Sequence, residues 1–296
     1  MPSEPIAAEV LAVIVALVNG EPCVLTLPDA PRLPAGPVLP DHRSLQTAVR
    51  AWVEQQTGLS VGYLEQLYTF ADRDRDGSGT RTISVSYLGL VRGLTPRSGR
   101  WRGWYELFPW EDRRGGDEAA RGQGVPGLKE WAGAGSVRTR RQRCAITFGL
   151  DGRPWQPDLA LQRYEILYEA GLVPESPAPA ERWPTVPGAR MDGDHRRVLA
   201  TGIARLRAKI QYRPVVFELM PPQFTLGQLQ ACVEALAGQP VHTQNFRRLV
   251  EQQHLVEPTG EHTGTGGRPA RLYRFRREVL QERQAAGTKL PSPRSR

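Results

Sequence analysis

The chain has 296 residues, a formal net charge of +8 and a charged fraction of 24%. This length predicts two domains, each large enough to bury its own core, and the composition is ordinary for a globular protein apart from abundant Pro and Gly. Its three cysteines, Cys23, Cys144 and Cys232, lack metal-ligand spacing and are odd in number, which favours a reduced, cytoplasmic setting.

The positive charge is concentrated in the C-terminal third. Residues 193–296 hold 17 Lys+Arg against 8 Asp+Glu, a balance of +9 that leaves −1 for the first 192 residues. This asymmetry suggests that the C-terminal part binds a polyanion, although a basic surface can also serve solubility alone.

The N-terminal part predicts a sheet with one strong helix. Glu9–Leu27 predicts two strands joined by an Asn-Gly turn. Its apolar run, 10–18, is too short to span a bilayer and follows acidic residues, so we expect neither a membrane helix nor a signal peptide. Ser44–Gln56 predicts a helix that Ser44 caps and Gly58 ends. Further strands are expected at Val61–Phe70 and Arg81–Arg92.

The middle of the chain predicts an insertion, a helix and a linker. Residues 115–143 are rich in Gly and Arg and predict an extended insertion, whereas Asp158–Ala170 predicts a helix. Residues 174–190 hold five prolines and predict an interdomain linker. We therefore expect a first domain at 1–173, a linker at 174–190, a second domain at 191–280 and a disordered tail at 281–296.

The C-terminal part predicts a winged helix-turn-helix. Its predicted elements are a helix at His195–Ile210, a strand at Val215–Leu219, a helix at 225–237, a helix from Thr243 and two strands, Leu255–Thr259 and Arg271–Phe275. Thr225 and Gln228 form a capping box. A helix, a tight turn, a basic helix and a Gly-rich hairpin in this order present one helix to a DNA major groove.

The helix from Thr243 carries the candidate DNA-binding side chains. Phe246, Leu249 and Val250 are expected to pack inward. Hydroxyl, amide and guanidinium groups that can bind base edges or phosphates then remain outside, on Thr243, Gln244, Asn245, Arg247 and Arg248. A solvated helix face has the same composition, but the Gly-rich hairpin tip favours DNA, because Arg268 before a proline suits a minor groove.

Two sets of segments resemble known regulators. The C-terminal part of the chain resembles the C-terminal domain of Nudix-related transcriptional regulators. Three segments carry this resemblance: FTLGQLQ, NFRRLVEQQHLVEPTG and GGRPARLYRF. The chain also has a narrower resemblance, to the NadQ-type repressors of NAD biosynthesis in alphaproteobacteria. It is carried by DHRRVLATGIARLRAKIQYRPVVFELMPP, WYELFPWEDRR and RYEILYEAGLV. The resemblance implies an α+β chain, with an N-terminal Nudix-like α/β/α sandwich followed by a winged helix-turn-helix. It also implies a homodimeric repressor that binds a double-stranded DNA operator of NAD-synthesis genes.

The first domain carries the outline of a Nudix box without its carboxylates. A Nudix hydrolase has the motif G-x5-E-x7-R-E-U-x-E-E-x-G-U, in which U is aliphatic and glutamates bind divalent metal. Anchoring LPAGPVLPDHRSLQTAVRAWVEQQTGL on its final Gly-Leu puts Trp52 at the first helix glutamate and Gln55 and Gln56 at the metal-binding pair. His42 or Arg43 takes the upstream position. Because a neutral amide offers one weak ligand, we expect neither metal nor catalysis.

A Nudix-like pocket without catalysis predicts a sensor. The resemblance implies an NAD-related nucleotide as effector, and no cofactor is expected to be required. By their side-chain chemistry, Arg81 is a candidate phosphate ligand and Tyr105 or Trp110 a candidate stacking ring. The alternative is an active pyrophosphatase for ADP-ribose or NAD, whose metal binds carboxylates outside the box, such as Glu65 or Glu111. An RNA-binding module is a further alternative.

Overall fold

The structure is a computed structural model that describes most of the chain. The described residues are 6–72, 81–93, 95–116, 125–133, 137–181, 183–211, 215–263 and 269–276. By its contacts the chain divides into two compact units, one of Met1–Leu219 with Cys232–Pro240 and one of Met220–Ala231 with Val241–Arg296.

Within the described residues, a six-stranded mixed sheet lies at the centre of the first unit. Its strands are β1 (Ala7–Val18), β2 (Glu21–Thr26), β3 (Ala35–Pro37), β4 (Tyr63–Phe70), β5 (Thr82–Leu90) and β6 (Arg100–Gly103). They follow the order β4-β5-β1-β2-β6, and β3 also pairs with β1. β1 runs parallel to β5, and the other pairs are antiparallel. The central place of β1 explains its unbroken apolar run, because a strand covered on both faces needs no polar alternation.

Helices cover both faces of this sheet. In the described part of the first unit they are α1 (Leu45–Thr57), α2 (Trp104–Leu107), α3 (Val125–Gly133), α4 (Val137–Phe148), α5 (Ala160–Glu169) and α6 (His195–Ile210). Val10 and Ile14 of β1 share a core cluster with Val49 of α1. On the opposite face, α6 approaches so closely that a Cβ atom on Gly202 would lie 2.8 Å from Val13. The first unit is therefore an α/β/α sandwich, as predicted.

Helix α1 has the ends that the sequence predicts. The Ser44 hydroxyl accepts a hydrogen bond from Thr47 N at 3.1 Å and caps the first turn. Gly58 ends the helix at a φ of 71°, a left-handed conformation that costs glycine little. Arg50 donates from Nη2 to the Gly62 carbonyl at 3.0 Å. These contacts fix α1 between its cap and the start of β4.

Two predicted elements differ in the structure. The strand predicted at Val215–Leu219 is a short 3-10 helix, Val215–Glu218, because a buried apolar run of this length fits a helical turn as well as a strand. The extended insertion predicted at 115–143 contains α3 and the first part of α4. These helices pack on each other, and the Arg140 guanidinium lies 4.6 Å from the Trp131 ring centroid. Such a pairing becomes visible only in three dimensions.

The proline-rich segment at 174–190 is held within the first unit. Ala189 N donates a hydrogen bond to the Glu106 carbonyl at 2.9 Å. Glu175 forms an ion pair of 3.1 Å with Arg196, and both side chains are buried. The compact first unit thus continues past the predicted boundary at residue 190. The domain limits expected from the sequence remain a prediction.

The second unit has the helix-turn-helix and hairpin order that the sequence predicts. Its elements are the start of α7 (Leu226–Ala237), α8 (Thr243–Gln252), β7 (Val256–His262) and β8 (Arg271–Phe275). Thr225 N donates to Gln228 Oε1 at 2.8 Å and Gln228 N to Thr225 Oγ1 at 3.1 Å, which completes the capping box. Phe224 and Tyr273 exchange two backbone hydrogen bonds of 2.9 and 2.8 Å.

In the described part of the chain, no helix has the length and apolar character needed to cross a membrane.

Candidate functional site

Helix α8 turns a polar face to solvent. Phe246 and Val250 are buried, at 8% and 6% exposure, and define its inward side. All five candidate side chains on this helix are exposed: Thr243, Gln244, Asn245, Arg247 and Arg248. The structure therefore places the hydroxyl and amide groups in the first turn and the two guanidinium groups directly after it, on one exposed helix. Base-reading helices use their first turns in this way.

Leu249 does not pack inward, and its prediction from helical spacing is wrong. Its side chain is 49% exposed. At about 100° per residue, Leu249 stands at the edge of the stripe that Phe246 and Val250 already fill. An exposed leucine beside amide and guanidinium groups offers an apolar contact of the kind that a thymine methyl group accepts.

Gln230 fixes the turn that leads into α8. Its Nε2 donates to the Val241 carbonyl and to Thr243 Oγ1, both at 3.1 Å. The contact orients the first turn of α8, where Gln244 and Asn245 lie. The Thr243 hydroxyl accepts this bond and keeps its own proton to donate.

Strands β7 and β8 form the wing. Thr263 N donates to the Ala270 carbonyl at 2.9 Å and closes the hairpin below its tip. Arg268, the predicted minor-groove arginine, lies outside the described residues. Arg271, at the start of β8, is exposed and was missed by the sequence reasoning. Its place directly after the predicted tip is the signal that could have identified it.

The Nudix-box helix binds its neighbouring strand through side-chain N–H groups. Gln56 accepts a hydrogen bond from Ala35 N at 3.2 Å and donates one to the Ala35 carbonyl at 2.8 Å. Trp52 Nε1 donates to the Pro37 carbonyl at 2.9 Å. Gln55 is exposed. Two of the three helix positions that hold glutamate in the Nudix motif, Trp52 and Gln56, thus supply donors to β3.

These donors occupy the position where a cation would need acceptors. The indole of Trp52 lies so close to Gly36 that a Cβ atom there would stand 2.3 Å from the ring. A metal ion requires oxygen ligands at this place, whereas the helix presents N–H groups and an aromatic ring. The geometry therefore suits a fixed helix-strand contact.

The carboxylates considered as alternative metal ligands are paired with cations. Glu65 forms an ion pair with Lys209, and Glu111 forms ion pairs with Arg163 and Arg207. Among the described residues, no group of three His, Cys, Asp or Glu side chains is placed to hold a metal ion. In this structure Glu65 and Glu111 therefore compensate neighbouring cations.

The three candidate effector ligands have different surroundings. Arg81 is exposed and directly precedes β5. The Tyr105 hydroxyl donates to the Ala235 carbonyl, and burial raises the pKa of Tyr105 to about 12. Trp110 is 3% exposed, with Phe108 packed edge-on against its ring. These contacts favour structural roles for Tyr105 and Trp110, and the three assignments remain predictions.

A buried charge cluster lies beside these rings. Glu111 is 1% exposed and accepts from Arg163 Nε at 2.6 Å and from Arg163 Nη2 at 2.9 Å. Arg207 binds the same carboxylate, and its Nε donates to the Leu236 carbonyl at 2.9 Å. Burial by itself would raise the pKa of Glu111, but the charges of the two arginines outweigh it and lower that pKa. No sequence pattern indicated this cluster, because its members lie up to 96 residues apart.

A cavity of about 460 Å³ lies near the cluster. Its lining includes Arg113, Arg153, Trp155, Gln239 and Pro240. The Arg113 guanidinium lies 5.1 Å from the Trp155 ring centroid. The sequence reasoning missed this cavity, because residues 113, 153 and 239 belong to three separate segments.

Comparison with protein families identifies the second of the two predicted domains. Residues 216–275 match the model described as the NrtR DNA-binding winged helix domain. This region is similar to the winged helix domain of NrtR. The match includes all of α7, α8, β7 and β8, and it agrees with the broader of the two resemblances seen in the sequence. The narrower likeness to NadQ-type repressors remains a resemblance.

A curated relative matches part of this chain. The chain is 40% identical over 82 residues to a protein of Acinetobacter baylyi named "ADPR responsive transcriptional repressor NtrR". The matched part is 28% of this chain and 33% of the relative. The chain thus spans about a third of the length of that relative.

Solved structures extend the likeness to nearly the whole fold. NrtR of Shewanella oneidensis in complex with a 27mer DNA is 20% identical and has a TM-score of 0.57, with 93% of this chain and 95% of that chain covered. A MutT/nudix family protein from Enterococcus faecalis is 15% identical, with a TM-score of 0.54 over 93% and 89% of the two chains. The chain therefore has a Nudix-like fold followed by a winged helix similar to that of NrtR.

Proposed function

We propose that this protein is a DNA-binding transcriptional repressor, controlled by a nucleotide that its Nudix-like domain binds without cleavage. The exposed first turns of α8, with Gln244 and Asn245 beside Arg247 and Arg248, carry the proposal. Amide side chains read base edges, and arginines bind phosphates or guanine. The similar NrtR of Shewanella oneidensis was solved in complex with a 27mer DNA, which supports a duplex partner for this chain.

The proposed effector is an NAD-related nucleotide, with ADP-ribose as the first candidate. The Acinetobacter baylyi relative is named as ADPR-responsive, and the NadQ-type resemblance points to the control of NAD-synthesis genes. We propose a homodimer in the cytoplasm, since two recognition helices on two half-sites read more base pairs than one. We keep 1–173 as the proposed sensing domain and 191–280 as the proposed DNA-binding domain.

A gel shift on duplex DNA from upstream of NAD-synthesis genes tests this function. We expect the purified protein to retard that DNA, and we expect ADP-ribose, NAD or a nicotinate-type precursor to change the fraction bound. DNA of shuffled sequence is the control for specificity. Equal retardation of operator and shuffled DNA, or preference for structured RNA in direct competition, would contradict the proposal.

We further propose that the protein is not a pyrophosphatase. Gln56 and Trp52 donate hydrogen bonds to the carbonyls of Ala35 and Pro37 instead of offering carboxylates to a metal. No Mg²⁺-dependent release of AMP from ADP-ribose or NAD is expected. Its observation with pure protein would favour the hydrolase alternative.

Replacing Gln56 with glutamate should destabilise the protein rather than restore a catalyst. A glutamate carboxylate cannot donate a hydrogen bond, so the Ala35 carbonyl would lose the donor that Gln56 now supplies. We expect the free energy of unfolding to fall by about 1–3 kcal/mol in urea titrations. Gln55→Glu is the matched control, because Gln55 is exposed and its replacement should change stability little. AMP release by the double variant would show that the box retains metal-binding geometry.

A further inference from the structure

The cavity beside Trp155 has the chemistry of an anion site. Arg113 and Arg153 both line it, together with the indole of Trp155 and the amide side chain of Gln239. Its lining in the described part of the chain holds no carboxylate. Its volume, about 460 Å³, is within the range of pockets that hold small ligands.

Further positive charge lies behind the aromatic wall of this cavity. The guanidinium carbons of Arg163 and Arg207 lie 4.4 and 5.6 Å from the Trp155 ring centroid. Both arginines are fully buried and share the single carboxylate of Glu111, while Asp158 acts on Arg163 through space. Buried charge is screened little by solvent, and of the two carboxylates only Glu111 is as buried as the arginines, so the positive charge behind Trp155 is only partly offset.

Arg153 is the group best placed to meet a ligand that enters from solvent. Its side chain is exposed, and no carboxylate of the described residues lies within ion-pair distance of it. A planar guanidinium can bind two phosphate oxygens at once. Arg113 differs, because it is 6% exposed and belongs to the wall of the cavity.

A second cavity fits an anion less well. Its volume is about 350 Å³, and Lys129, Arg141 and Asp151 contribute to its lining. There the carboxylate of Asp151 lies 3.9 Å from Arg141 Nε. The carboxylate repels an incoming phosphate and already offsets part of the arginine charge.

We propose that the cavity of Arg113, Arg153 and Trp155 binds the phosphate groups of an anionic nucleotide, with Arg153 as the solvent-side phosphate ligand. This inference rests on the proposed function, for which it supplies the effector site. The proposed effector site therefore does not include Arg81, Tyr105 or Trp110, the candidates that the sequence suggested.

The chain itself connects this cavity to the DNA-reading helix. Gln239 and Pro240 line the cavity and are the last residues of the first unit before the chain enters the second unit at Val241. The preceding Gly238 is held tightly, because its carbonyl accepts from Arg113 N at 2.7 Å. A ligand that contacts Gln239 therefore acts on the segment that leads into α8, about five residues from the base-reading amides.

Ligand titration of the full-length protein tests this site. The probes are ADP-ribose and inorganic pyrophosphate, measured by calorimetry for the wild type, Arg153→Ala and Arg153→Lys. We expect Arg153→Ala to raise the dissociation constant about tenfold or more and Arg153→Lys to raise it less, because lysine keeps the charge but loses the two-point contact. Arg141→Ala, in the second cavity, is the matched control and should bind as the wild type does. Unchanged melting temperatures show that the variants fold.

The possible outcomes test the proposed site and the proposed effector separately. Loss of ADP-ribose binding in Arg153→Ala alone supports both. The proposed site is wrong if Arg153→Ala binds ADP-ribose with wild-type affinity, or if only Arg141→Ala loses that affinity. Either result leaves ADP-ribose as the proposed effector. Pyrophosphate binding that depends on Arg153, without ADP-ribose binding, supports the site and rejects ADP-ribose as effector. Wild-type protein that binds neither probe overturns the site.

Discussion

Arg248→Ala is expected to weaken operator binding about tenfold and to reduce the salt dependence of that binding by about one unit of slope. Arg248 lies about 180° around α8 from the midpoint of the buried pair Phe246 and Val250, so its side chain points most directly away from the domain. An arginine in that position neutralises a phosphate and releases its counterion. Gel shifts over a salt series measure both quantities.

Two other variants make this test specific. Arg190→Ala removes an exposed cation from the first unit and should leave both the affinity and the salt slope unchanged. Gln244→Ala removes an uncharged candidate base contact, so it should weaken operator binding without changing the salt slope. An unchanged salt slope in Arg248→Ala would show that Arg248 contacts no phosphate.

Glu111→Gln is expected to produce the largest loss of stability in the first unit. Arg163 and Arg207, both fully buried, would keep their charges and lose the carboxylate that they share. Removing one partner of a buried ion pair costs about 3–5 kcal/mol, because an uncompensated charge remains in the interior. Urea unfolding at neutral pH measures this loss.

A half-exposed ion pair provides the control for Glu111. Glu165 pairs with Arg197 at 3.0 Å, and the two side chains are 40% and 33% exposed. Glu165→Gln should therefore cost less than about 1 kcal/mol, since solvent screens the pair and replaces its hydrogen bonds. A similar small cost for Glu111→Gln would contradict the view that Glu111 compensates the buried arginines.

The pKa of Glu111 fixes the direction of the pH dependence. This pKa is lower in the folded protein than the ordinary glutamate value of about 4.3, so the carboxylate stabilises the fold fully above that pH. The contribution is lost as the pH falls through the lowered folded pKa. The difference in unfolding free energy between wild type and Glu111→Gln should therefore shrink in acid.

The elements with local start and stop signals were predictable from the sequence. Ser44 and Gly58 define the ends of α1, and Thr225 with Gln228 defines the start of α7, because caps and left-handed glycines act within a few residues of the chain. Helical spacing likewise placed Phe246 and Val250 inward. The two-part fold follows from such signals together with the resemblance of longer segments.

Elements without such signals were not predictable. Val215–Glu218 is too short for periodicity to separate a strand from a helical turn. Leu249 stands at the edge of its helical stripe, where spacing cannot decide between burial and exposure. Val125–Gly133 and Val137–Phe148 form helices that pack on each other, a tertiary effect that outweighs the unfavourable Gly content of the first.

The sequence by itself determined the ends of the capped helices, the exposure of the polar side chains of α8 and the absence of glutamate at Gln55 and Gln56, because each depends on neighbours along the chain. Only the tertiary structure decided that Gln56 binds the backbone of β3, that Glu111 compensates two buried arginines and that Arg113 and Arg153 line one cavity. Those features join residues that are distant in the chain, and local propensity carries no information about which distant side chains meet.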